Sequence, residues 1–253
     1  MKDLFNNVRS DVFKMLHSNI LYLHLLVPLL GILVFCGYYS FSPWSEKEKV
    51  YGFAQAVAIV FPLMISVAVS MLYEQELKAG NFQAILAAPY SKRIAHGGNF
   101  ITLCLLGLFA SIFAVTGFGA VFRIMGFGKY SMAFYFKLSL IMFVANLALY
   151  FMQYIICFIA GKGISLSFGI IGTLLSPLLY LGLGDIIWRY IPYGYGIRMV
   201  TYYCERYTDF KGSQAIIRDF KAGTAAAGII TAVLAGTFLI WSNVWQGKGT
   251  KSE

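Results

Sequence analysis

The sequence predicts an all-α polytopic membrane protein, with six bilayer-crossing helices preceded by an N-terminal amphipathic surface helix. Three observations carry that prediction. Of 253 residues, 59% are hydrophobic and only 12% charged, outside the range of ordinary soluble domains. The apolar residues gather into runs of about 20 or more, the length a helix needs at 1.5 Å per residue to cross roughly 30 Å of hydrocarbon. The uncharged run from Tyr51 to Leu72 breaks off into a short mixed segment before a second long run begins near Phe100. That pattern places a small helix between two spans.

Before the first span, Leu4, Val8, Val12 and Leu16 recur every four residues with Phe5 and Met15 beside them, while Arg9, Ser10 and Lys14 take the other side. Residues 1–18 are therefore expected to lie on the membrane surface as an amphipathic helix; the alternative is a frayed terminus. The six expected spans are Ile20 to Tyr39, Tyr51 to Leu72, Phe100 to Met125, Phe134 to Ala160, Ile164 to Leu183 and Gly223 to Val244. Pro28, Pro62 and Pro177 fall inside spans, where neighbouring helices can satisfy the freed carbonyls. Residues 1–19 are too mixed for a secretory signal, so the first span is expected to remain in the mature protein.

Lys and Arg favour cytoplasmic loops. With both termini inside, nine cations lie on the inner side (Lys2, Arg9, Lys14, Lys78, Lys92, Arg93, Lys162, Lys248 and Lys251). Five lie outside (Lys47, Lys49, Arg123, Lys129 and Lys137) before the last outer loop adds Arg189, Arg198, Arg206, Lys211, Arg218 and Lys221. Asp185, Glu205, Asp209 and Asp219 largely offset those six, so both termini are expected in the cytoplasm, although charge alone does not fix the orientation. The net charge of +9 suits anionic lipid better than nucleic acid, since no basic run interleaved with aromatics is present.

Residues 74–90 form the expected inner loop. Phe82, Ile85 and Leu86 have the i, i+3, i+4 spacing that gives a short helix one apolar face for a partner's groove. Glu74 and Glu76 precede it, Gly80 and Asn81 break and restart the chain, and Pro89 ends it. The other reading is a helix lying on lipid; acidic residues at its start favour docking, because anionic headgroups would repel them. Residues 184–222 form the expected outer loop, rich in aromatics: Trp188, Tyr190, Tyr193, Tyr195, Tyr202 and Tyr203, with Arg189 and Arg198 among them. Such rings mark a headgroup belt or a pair of short helices re-entering the outer leaflet as an exit gate.

Asn146 and Gln153, seven apart with Tyr150 between them, put polar groups on one face of the fourth span, facing the bundle or a cavity; Gln55 is a weaker case. Substrate contact and interhelical hydrogen bonding both fit. The stripes Thr224, Gly228, Ala232, Gly236 and Ser165, Gly169, Thr173 suit close helix packing, within this chain or with a second subunit. No chemistry-bearing constellation stands out. His17, His24 and His96 are scattered, Cys36, Cys104, Cys157 and Cys204 lack metal-ligand spacing, and a Cys36–Cys204 disulfide is only geometrically conceivable. Gly247-Lys248-Gly249-Thr250 lacks the rest of a phosphate loop, and no acid sits in an apolar core, which disfavours a proton-driven carrier.

The surface helix, six spans, short helix between the second and third, and re-entrant outer stretch resemble the ABC-2 type exporter permeases, whose architecture is that of type V exporters. Pro28-Leu29-Leu30-Gly31, Tyr38-Tyr39-Ser40-Phe41-Ser42-Pro43-Trp44, and Glu74-Gln75-Glu76 with Ala79-Gly80-Asn81-Phe82-Gln83 resemble the G-type permease subunit of lantibiotic self-protection transporters, the MutG family. The resemblance spans essentially residues 1–253 as one transmembrane domain. It implies two copies of a separate ABC ATPase, which bind ATP and Mg while this chain binds no cofactor, a second related permease, and a lantibiotic expelled from a bacterial plasma membrane. It also implies that Phe82, Ile85 and Leu86 contact the ATPase and that Trp188 to Tyr203 form the outer gate. Many lantibiotics are cationic, so Asp185, Glu205 and Asp209 would attract one, or its apolar part would be recognised from lipid. The rival expectations are an ABC-2 permease for another hydrophobic or lipid-linked cargo and a non-transport protein that sequesters peptide.

Overall fold

The structure is a computed structural model that describes residues 2–207 and 214–247, and no strand occurs among them. Its helices are α1 (Lys2–Leu16), α2 (Asn19–Phe41), α3 (Glu46–Lys78), α4 (Gln83–Leu86), α5 (Lys92–Ile124), α6 (Met132–Ala145), α7 (Leu147–Ala160), α8 (Lys162–Tyr180), α9 (Tyr195–Tyr207) and α10 (Gln214–Val244). Three single turns of 3-10 helix, Gly182–Gly184, Trp188–Tyr190 and Pro192–Gly194, join α8 to α9. Six elements are long and apolar enough to cross a membrane: α2, α3, α5, α6 together with α7, α8, and α10. Of the positions singled out from the sequence, Asp209, Lys211, Lys248, Gly249, Thr250 and Lys251 lie outside the described residues, as do the side chains of Lys2 and Leu16.

Polar caps start the long helices. Ser45 and Glu48 form a reciprocal capping box at α3, and the Ser18 and Ser131 hydroxyls accept from Ile20 N and Phe134 N at the starts of α2 and α6. The expected fourth span is two helices interrupted at Asn146, whose side-chain amide donates to the Met142 carbonyl at 2.7 Å. α3 is the central helix, packed on α7, α8 and α9. Its approach to α8 requires Gly169, because a Cβ there would stand 1.9 Å from Ser66 Oγ. The stripe Ser165, Gly169, Thr173 is thus used within the chain. No described atom lies within 4 Å of where a Cβ at Gly228 or Gly236 would stand, so the α10 stripe faces outward.

Three expectations need correction. α3 runs on to Lys78, so Glu74 and Glu76 belong to its last turns, and the helix of the 74–90 segment is only Gln83–Leu86. α10 starts at Gln214, so the 184–222 loop ends about two and a half turns earlier than apolarity suggested. α1 turns Asn7, Asp11 and Met15 into the bundle, while Phe5 and Phe13 are exposed and Leu4, Val8 and Val12 are half-buried. Hydrogen bonding to α5 outweighs the apolar stripe there. All four cysteines are free, Cys36, Cys157 and Cys204 buried and Cys104 half-buried, so the merely conceivable Cys36–Cys204 disulfide is not formed.

Candidate functional site

Where α3 gives way to α5, the chain makes a foot. Three consecutive residues with positive φ, Gly80 (123°), Asn81 (53°) and Phe82 (66°), end α3, and Asn81 N and Phe82 N donate to the carbonyls of Leu77 and Glu76. A phenylalanine in this left-handed region costs about 1–3 kcal/mol. Phe82 accepts it because its ring is 1% exposed, packed on Tyr73, Trp245 and Phe158 at centroid distances of 5.1, 5.3 and 5.9 Å. Burying the side chain is worth about 1.5–3 kcal/mol, and each ring pair adds about 0.5–1.5 kcal/mol. The packing therefore wins. Trp245 is itself tied down by its indole N–H to the Phe158 carbonyl (3.2 Å) and by Lys92 Nζ on its own carbonyl (2.8 Å).

Phe82 and Ile85 thus point into the bundle, not toward a partner, which corrects the free apolar face expected for them. Residues left outward are Leu77, Asn81, Gln83, Ala84, Leu86 and Ala87, with Leu86 37% exposed. Gly80 is half-buried, its φ serving the turn. Glu74 bridges Lys78 (3.0 Å) and Lys162 (3.2 Å), joining the ends of α3 and the start of α8.

Glu76 turns the other way, into a polar cluster beneath α1. Glu76 and Asp11 are 4% and 3% exposed, and Lys14 Nζ reaches Asp11 Oδ1 at 3.1 Å. Asn7 donates to the carbonyls of Ile94 and Ala95 and accepts from the Tyr90 hydroxyl at 2.8 Å. Burial pushes the Asp11 carboxyl above its ordinary range, and the Lys14 ammonium opposes that only in part. A polar pocket of about 220 Å³ lies among these groups and Asn99. The surface helix is thereby fastened to the foot through α5 and the end of α3.

At the opposite end of the bundle, the aromatic stretch folds inward. Trp188 is buried, its indole N–H donating to Asp219 Oδ2 at 3.1 Å, and Arg189 also pairs with Asp219. The Tyr195 hydroxyl donates to the Arg189 carbonyl at 2.9 Å, and Arg198 binds the Leu179 carbonyl and Asp185. Gln153 donates to the Tyr193 hydroxyl at 3.3 Å and accepts from Ser165 at 2.9 Å, which joins α7, α8 and the turn before α9. Asn146, Gln153, Trp188, Tyr193 and Tyr195 are all buried. Gln153 makes interhelical bonds in this conformation, whereas the Asn146 amide bonds the Met142 carbonyl of its own helix. Gln55 likewise donates to Thr201 at 3.2 Å.

A further feature had no signal in the sequence. An apolar groove of about 360 Å³ lies between α2, α3 and α5, lined by residues from Leu23 to Phe35 on the first, Phe53 to Ile65 on the second and Gly107 to Ala114 on the third. Tyr73, Phe158 and Trp245 around the foot and Asn7, Asp11 and Asn99 beneath α1 also escaped the sequence reading. Trp241 and Trp245, a helical turn apart, were the one available hint, since paired indoles near a span's end resemble an interfacial belt.

The family profile described as ABC-2 family transporter protein matches residues 8–178, from the second turn of α1 to the end of α8 and so across the whole foot. The chain belongs to the ABC-2 transporter family. No curated protein matches it. ABC-2 proteins are membrane transporter components that work with an ABC ATPase and are not themselves catalytic. The match leaves α9 and α10 outside, so the family assignment rests on the helices that build and carry the foot, not on the aromatic end.

Proposed function

We propose that this ABC-2 protein is the permease subunit of an ATP-driven exporter that lifts an amphiphilic peptide of the lantibiotic class out of a bacterial plasma membrane and protects the producing cell. The foot faces the cytoplasm, with both termini inside. Two copies of a separate ATPase bind ATP and Mg and press on the outward side of α4. A second permease subunit covers the small-residue stripe of α10, which no described helix occupies.

The observation that carries the reading is the mounting of Phe82. A foot anchored by one buried ring in α3, α7 and the end of α10 moves those helices together when its outer surface is displaced. Leu77 and Leu86 are the apolar side chains available to the ATPase. Leu86→Asp is expected to keep the permease folded and inserted while abolishing copurification of the co-expressed ATPase and peptide release to the medium; copurification at wild-type yield would remove the docking surface from α4. The lantibiotic cargo rests on the subfamily resemblance of residues 74–83 and 28–44. A lipid-linked or other hydrophobic cargo is the second reading, favoured by the apolar groove between α2, α3 and α5. Peptide assayed in the medium of cells with and without the neighbouring genes separates the two.

A further inference from the structure

The groove between α2, α3 and α5 is long and almost wholly apolar. Its lining spans thirteen residues of α2 and thirteen of α3, from Leu23 to Phe35 and Phe53 to Ile65, or twelve rises of 1.5 Å, about 18 Å. An extended peptide would fit the width, but its N–H and C=O groups would meet few partners against such walls. An alkyl chain has no such groups. The groove is also continuous with the lipid-facing surface: Leu30, Val34 and Val60 on its walls are exposed, beside the exposed Leu26, Leu29 and Leu33 of α2.

Three polar side chains interrupt the apolar lining: Ser111, whose hydroxyl donates to the Ser139 carbonyl, Tyr150, and His24 toward one end. His24 is 7% exposed and lines the groove about five residues into α2. Its Nδ1 lies 2.7 Å from the Ile20 carbonyl, which can only accept, so Nδ1 carries the proton and Nε2 of the neutral ring is an acceptor. An acceptor beside a hydrocarbon slot selects a chain that ends in a donor.

We propose that this groove binds a single alkyl chain of a membrane-dissolved amphiphile whose protic end group, a hydroxyl, carboxylic acid or amide N–H, donates to His24 Nε2. The site is separate from the foot and does not depend on the peptide cargo or the ATPase. Gly31 provides a way to close it, because no described atom lies within 4 Å of where a Cβ at Gly31 would stand. Gly31→Leu fills the slot without a clash at the backbone.

The test uses the full-length protein in phosphatidylethanolamine–phosphatidylglycerol nanodiscs, without ATPase or ATP, and a diazirine-bearing hexadecanol as photolabel. Label is expected to concentrate on the α2 and α3 peptides that line the groove. Unlabelled hexadecanol should compete about tenfold better than its methyl ether, which has no proton to donate, corresponding to one hydrogen bond. His24→Phe should erase that difference, and Gly31→Leu should cut labelling several-fold. Equal competition by the ether, or label spread evenly over α2 and α10, would mean ordinary lipid contact and overturn the proposal. Unchanged labelling of Gly31→Leu would do the same, as would a Gly31→Cys variant that oxidises to a linked dimer, since a second copy would then occupy the face. Each result is read without transport, so the exporter reading stands or falls separately on Leu86→Asp.

Discussion

Phe82 illustrates how a single side chain can be assigned the right place and the wrong direction. Its spacing with Ile85 and Leu86 marks an apolar face on a short helix, yet spacing carries no information about which side the face turns to. Burial among Tyr73, Phe158 and Trp245 decides it. Phe82→Ala is therefore expected to cost about 3–5 kcal/mol of local or global stability, visible as faster proteolysis of residues 78–90 in the inserted protein, whereas Leu86→Ala leaves proteolysis unchanged. Asp11 has a pH signature. Its folded carboxyl titrates above the ordinary value of 3.8, so the docked α1 binds more protons than the released helix, and docking weakens as pH rises from about 4 through the raised value. Hydrogen exchange of residues 4–15 should speed up over that window, and Asp11→Asn, which keeps the shape and removes one of the two buried carboxyls of the cluster, should weaken the trend.

At the scale of elements, the long helices were legible because a span must satisfy its backbone internally and must be apolar over a fixed length. All six runs became helices. Their ends were less legible: α3 gains turns at both ends and α10 begins before its apolar run, because helices continue into polar sequence wherever caps or ion pairs serve them, as Ser45 with Glu48 and Glu74 with Lys78 and Lys162 do. The small-residue stripes were both visible as packing faces, but only α8 found its partner within the chain. Gly169→Leu is expected to force α8 from α3 at Ser66 and to destabilise the bundle by about 1–3 kcal/mol, measured as a lowered thermal aggregation midpoint in detergent. Gly228→Leu, on the uncovered stripe, should leave that midpoint unchanged and act only on assembly.

Across the whole molecule, the two ends differ in kind. One gathers α1, the foot and the end of α10 around Phe82 and the Asp11–Glu76 cluster; the other folds Trp188, Tyr193 and Tyr195 back among α7, α8 and α10. Impermeant maleimide applied to intact cells should reach Tyr190→Cys, which is exposed at the second end, and not Gln83→Cys, which is exposed at the first. Labelling of Gln83→Cys from outside would invert the molecule and end the proposal of an ATPase at the foot. Length, apolarity and the period of the runs were enough for the sequence to determine a six-helix membrane protein with a small helix after the second span, because the bilayer imposes those requirements on each segment alone. Which face of α1 is buried, where Phe82 points, what Gln153 bonds to and that an apolar groove lies beside His24 were decided only by tertiary structure. Each of these depends on residues of other elements, as Gln153 does on Tyr193, 40 positions away, and no local pattern encodes the distance between two helices.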